Sequence, residues 1–90
     1  MPEYLDQLVS YVCRTDFDDL PEAVVRRAKE VLVDTLSVIA AGAQEEEVKA
    51  LEKRLLDPKA GTVASLIGSG LRTEPLKAAL INGTAGTFLE

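Results

Sequence analysis

The 90-residue sequence has no histidine, no tryptophan, a single cysteine, two tyrosines and two phenylalanines. Without histidine the chain cannot build a Ser-His-Asp triad or a Cys-His nucleophile pair from its own residues. One cysteine cannot close a disulfide within the chain, and it cannot supply the several Cys and His ligands of an ordinary zinc site. A lone thiol, Cys13, fits a reducing compartment, so a cytoplasmic location is expected, and neither a metal nor a cofactor is expected. Basic charge is also scarce: 10 Lys and Arg stand against 15 Asp and Glu, for a net charge of -5 and a pI near 4.7. Phosphate-backbone binding draws on clustered Lys and Arg, so no nucleic-acid partner is expected. Met1-Pro2-Glu3 opens on an acid where a secretory leader would carry basic and then apolar residues. The longest nearly uncharged run, residues 35–43, falls well short of the roughly 20 residues a membrane helix needs. No membrane partner is expected.

What is present is a globular composition with 47% hydrophobic residues, in a chain the length of one domain at most. Domains near this size bury little more than the roughly 60% of surface typical of 60 residues, so the core is thin and a partner is expected. Proline and glycine divide the chain into four helical stretches and one short extended piece. In the first stretch, Glu3 to Arg14, the residues Tyr4, Leu5, Leu8, Val9, Tyr11 and Val12 recur at helical spacing and form one apolar stripe. Pro21 suits the first position of a second helix, because its missing N–H has no partner there in any case. That helix runs to about Ala43, some 33 Å, with Gly42 near its C-cap. Glu22, Arg26 and Glu30 mark its solvated face, whereas residues 31–43 are apolar on nearly all sides and predict a central bundle position. Glu45-Glu46-Glu47 followed by Lys49, Lys53 and Arg54 matches the dipole of a third helix, buried through Val48, Leu51, Leu55 and Leu56. A turn over Asp57-Pro58-Lys59-Ala60-Gly61 ends it. Residues 62–67 are rich in β-branched side chains and predict a strand, with Leu71-Arg72 returning after Gly68-Ser69-Gly70 as a short partner. Thr73 is the expected N-cap of the last helix, with Glu74 and Pro75 in its first turn. The fold class is therefore mainly α: a helical bundle segment with one short β-hairpin.

Several patterns invite a site and are better read structurally. Gly68-Ser69-Gly70 lacks the third glycine of a dinucleotide-binding turn and reads as the hairpin turn. Asp16-Phe17-Asp18-Asp19 lacks the mid-loop glycine and terminal glutamate of a calcium loop. Asn82-Gly83-Thr84 is a glycosylation sequon, without consequence in an unsecreted chain. Asp34 lies among Val31, Leu32, Val33 and Leu36; a buried carboxylate there needs a partner, and a salt bridge to Arg or Lys of a neighbouring element is expected. Cys13, near the apolar stripe of the first helix, reads as a small hydrophobe. Ala79, Gly83 and Gly86 share a face of the last helix, and glycines inside a helix cost about 1 kcal/mol each against alanine, which points to close approach of another backbone or a ligand. The segment stays apolar through Phe88-Leu89 up to Glu90 and reads as a chain interrupted within a larger structure.

The stretch Leu20-Pro21-Glu22-Ala23-Val24-Val25-Arg26-Arg27-Ala28-Lys29, continuing through Val33-Asp34-Thr35-Leu36 to Ala41-Gly42-Ala43, resembles the N-terminal region of the MmgE/PrpD family. That family includes 2-methylcitrate dehydratase, cis-aconitate decarboxylase and iminodisuccinate epimerase relatives. Residues 62–70 look like the family's short strand and glycine turn, and Ala79-Leu80-Ile81-Asn82-Gly83-Thr84-Ala85 looks like its Asn-Gly-Thr helix. The resemblance implies that residues 1–90 form the N-terminal part of the all-helical domain of a longer enzyme, a single partial domain. It also implies a dimer as the homo-oligomer, a small di- or tricarboxylic acid as substrate, and the remainder of the polypeptide or a complementary subunit as partner. In the family the Asn-Gly-Thr helix leads into an acidic cluster, and Glu90 falls on its first acid, as Glu where Asp is usual; Thr87 stands where a histidine is often found. Glu90 is thus the one implied catalytic residue, and the isolated chain is not expected to be active. The alternative is a stand-alone helical oligomerisation or interaction module without catalysis.

Overall fold

A computed structural model describes residues 2–57, 59 and 61–89. Helices α1 (Glu3–Arg14), α2 (Glu22–Gly42), α3 (Glu46–Leu55) and α4 (Pro75–Phe88) accompany an antiparallel pair of two-residue strands, β1 (Ala64–Ser65) and β2 (Arg72–Thr73). The mainly helical class with one short hairpin is as expected. The chain divides into two units, one running to Glu30 and one beginning at Val31.

The first unit is held by local bonds. α1 starts after Pro2, whose carbonyl accepts from the amides of Leu5 and Asp6, and closes with the Thr15 amide and hydroxyl both donating to the Tyr11 carbonyl. Asp16 then sets up a single 3-10 turn over Phe17–Asp19: its amide donates to the Asp19 carboxylate at 2.8 Å, and its carbonyl accepts from the Asp19 amide at 3.0 Å. This acidic run therefore caps a turn with its own oxygens. Pro21 sits one residue before α2, as the carbonyl that receives Val24 and Val25 amides. The expected i,i+4 pair Glu22–Arg26 is present at 3.4 Å, but Glu30 pairs with Arg27 in preference to Arg26.

Among the described residues, all the buried ones lie in the second unit. Ala43, Val48 and Ala85 form one cluster, with Ile39 packed against it; Leu66, Ala78 and Ile81 form another, flanked by Leu55, Leu56 and Ala64. Val48, Leu66 and Ile81 are the larger apolar side chains among them, each contributing about 1.5–3 kcal/mol by burial. α3 packs on α4, and both strands lie against α4. The α3 stripe is the expected one, since Val48 is buried and Leu51, Leu55 and Leu56 are partly so.

Four local expectations need correction. Gly42 was expected as a C-cap, yet it lacks the left-handed conformation: a Cβ there would overlap the Ala85 carbonyl, so its role is close helix approach. The strand expected over residues 62–67 is only two residues long, because the return segment offers just Arg72 and Thr73 as register partners and Val63 stays exposed. Thr73 is buried in β2 and does not cap α4, whose N-cap is Glu74 with Pro75 following. The apolar end of α2 is not central: Leu32 and Val33 are 58% and 63% exposed, and coverage within the second unit reaches only residues 38–40 in part and Gly42 in full. The turn after α3 is described only at Asp57, Lys59 and Gly61, where the Lys59 amide donates to the Asp57 carboxylate at 2.9 Å; Pro58 and Ala60 lie outside the described residues.

Candidate functional site

The hairpin turn requires glycine twice. Gly68 and Gly70 have φ of 99° and 74°, the left-handed region, and a Cβ on Gly68 would also lie 2.9 Å from the Ala43 Cβ. Ser69 Oγ accepts from the Leu71 amide at 3.3 Å and the Leu66 amide donates to the Leu71 carbonyl at 2.8 Å, which extends the strand pairing into the turn.

The opposite edge of β1 is closed by a side chain. Asn82, in mid-α4, donates from Nδ2 to the Ser65 carbonyl at 3.1 Å and accepts at Oδ1 from the Ile67 amide at 2.9 Å. One carboxamide thus binds the C=O of one residue and the N–H of the residue two further on, the pattern made by one residue of a parallel neighbouring strand. Asn82 stands in for a third strand, satisfies an edge that would otherwise present free backbone groups, and locks the hairpin to α4. An asparagine at a helical position flanked by Ile81 and Gly83 is the sequence signal for such a role, and composition and spacing alone did not single it out.

α4 is itself held close to the end of α2. Gly42 abuts the Ala85 carbonyl, and a Cβ on Gly86 would come within 3.1 Å of Ile39 Cγ1. Of the face read as Ala79, Gly83 and Gly86, only Gly86 has a close neighbour; Gly83 has open space around it and Ala79 is exposed. The buried face is Ala78, Ile81 and Ala85, one position round the helix. Toward its C-terminal end the Thr84 hydroxyl donates to the Leu80 carbonyl at 2.8 Å and the Thr87 hydroxyl to the Gly83 carbonyl at 3.2 Å, so both hydrogens are engaged by α4 itself. Glu90, the implied catalytic acid, lies outside the described residues.

The remaining sequence candidates are exposed. Asp34 is exposed and belongs to none of the ion pairs among the described residues, contrary to the buried salt bridge expected of it; its helix face is not covered, so water solvates the carboxylate. Cys13 is exposed as well, on a helix with no buried residue. No group of three or more His, Cys, Asp or Glu among the described residues could hold a metal ion, and no described helix is long and apolar enough to cross a membrane.

The architecture is thus a mainly helical domain in which a glycine-turned hairpin is clamped to an Asn-Gly-Thr helix. Residues 6–90 match the model of the MmgE/PrpD N-terminal domain, and the chain belongs to the MmgE/PrpD family. No curated protein and no solved structure matches it.

Proposed function

We propose that this chain is the N-terminal part of the helical domain of a MmgE/PrpD-type lyase or isomerase, cytoplasmic and dimeric, that acts on a small di- or tricarboxylic acid in the manner of a 2-methylcitrate dehydratase. The carrying observation is the match over residues 6–90. Chemistry of this class removes a proton next to a carboxylate, which takes a base near the carbon acid and cations to hold the substrate carboxylates. The chain's share in this reading is scaffold and one wall of the site, with Glu90 as the acid that the resemblance implies. Support comes from the surface: Tyr4, Leu8, Tyr11 and Val12 on α1 and Leu32 and Val33 on α2 are all more than half exposed, as on helices that further protein covers.

The test joins the chain to the remainder of a MmgE/PrpD polypeptide and assays 2-methylcitrate, cis-aconitate and related acids. Turnover by the joined protein and none by the 90 residues alone is the expected result, with Glu90→Gln lowering kcat by at least about tenfold if that acid takes part in proton transfer. A joined protein that folds and turns over none of these acids defeats the reading. The same exposed stripes also fit the stand-alone oligomerisation module, which predicts a well-folded homo-oligomer of the 90 residues by sedimentation, with no larger partner.

A further inference from the structure

Asn82 is followed by Gly83, and this pair carries a chemical lability that the fold restrains. An amide nitrogen next to a glycine Cα is unhindered, so in an open chain the Gly83 nitrogen reaches the Asn82 carboxamide carbon. We propose that Asn82 is a site of spontaneous deamidation, held off by the clamp to the hairpin and irreversible in its structural effect once it occurs. The Gly83 nitrogen gives up its proton to solvent and forms a bond to Asn82 Cγ, Nδ2 takes up a proton from solvent, the Cγ–Nδ2 bond breaks, and Nδ2 leaves as ammonia. Water then opens the cyclic imide to aspartate or isoaspartate. The net change is hydrolysis of the carboxamide and needs no oxidant or cofactor.

Two features of the second unit oppose it. The carboxamide is tied at both ends, Nδ2 to the Ser65 carbonyl at 3.1 Å and Oδ1 to the Ile67 amide at 2.9 Å. Gly83 lies inside α4, where the helical ladder takes each N–H to the carbonyl one turn earlier. Attack therefore requires α4 to open locally and the hairpin to let go. Afterwards the clamp cannot re-form: an aspartate at 82 has no hydrogen to donate, and its anionic oxygen would face the Ser65 carbonyl. Isoaspartate adds a backbone carbon and breaks the ladder as well. Chains whose α4 has opened long enough are thus permanently marked by a freed hairpin, and this holds whatever reaction the family membership brings.

The experiment incubates the full chain in ¹⁸O-labelled water at neutral pH and weighs the proteolytic peptide containing residue 82, with the native chain, the chain in urea, and the variants Gly83→Ala and Gly68→Ala as arms. Nothing lies within 4 Å of a Cβ added at Gly83, so Gly83→Ala keeps the fold, whereas Gly68→Ala strains the hairpin turn. The chain in urea should convert at least about tenfold faster than the native chain, because modification follows the opened population. Gly83→Ala should slow conversion in urea, and Gly68→Ala should convert faster than the native chain, up to the urea rate if it unfolds. Equal rates in native and urea arms would show that the fold guards nothing; a urea rate unaffected by Gly83→Ala, or a Gly68→Ala rate no higher than native, would likewise overturn the proposal.

Discussion

The two units of this chain are built from different sequence patterns and reach different ends. α1 carries a clean apolar stripe and buries none of it, whereas α4, apolar and small on nearly every side with no such stripe, supplies Ala78, Ile81 and Ala85 to the core. An amphipathic pattern therefore specifies a face and leaves open what covers it. A helix of 12 residues with nothing buried is marginal in water, so α1 depends on covering protein in a way that α4 does not. The second unit replaces bulk with closeness: glycine at 42 and alanine at 85 let two backbones meet, and Asn82 adds directional bonds where apolar area is small.

This contrast can be broken at the point of closest approach. Gly42→Ala forces a Cβ into the Ala85 carbonyl and should destabilise the second unit by about 3 kcal/mol, the upper range for overpacking. Both tyrosines, Tyr4 and Tyr11, lie in α1 and there is no tryptophan, so tyrosine fluorescence reports the first unit and amide exchange at Leu66 and Ile67 reports the second. The expected outcome is faster exchange with an unchanged fluorescence transition; coincident shifts would mean that the units unfold as one. A smaller change of opposite sign is expected at Thr73, which is 1% exposed and whose hydroxyl has no hydrogen-bond partner among the described residues. Thr73→Val should stabilise the second unit by about 1 kcal/mol in urea denaturation, since it removes an unsatisfied buried polar group. Smallest of all is Leu8→Ser on the exposed stripe of α1, which should change the stability of this chain in urea denaturation by less than about 0.5 kcal/mol and yet weaken association with the covering protein proposed above.

Much of the local structure was legible in the residues. The bounds of α1, the third helix with its acid-to-base gradient and the hairpin turn at Gly68 and Gly70 all follow from short-range rules of charge, spacing and backbone freedom. Three of the misreadings share one cause. Asp34 as a buried ion-pair partner, residues 31–43 as a central helix and Gly83 as a contact point each inferred a neighbour from one element's composition, and composition does not say which element arrives. Of the candidate site, Glu90 rests on resemblance, while the role of Asn82 needed coordinates, because its two partners are backbone groups whose positions no side-chain pattern encodes.

The sequence by itself determined the helical class, the turn chemistry and, through the order of its segments, membership of the MmgE/PrpD family, because these depend on local propensity and on residue identity along the chain. Only the tertiary structure decided which face of α4 is buried, why Gly42 must be glycine and that Asn82 serves as a third strand. These are long-range contacts, set by how separate elements meet in space.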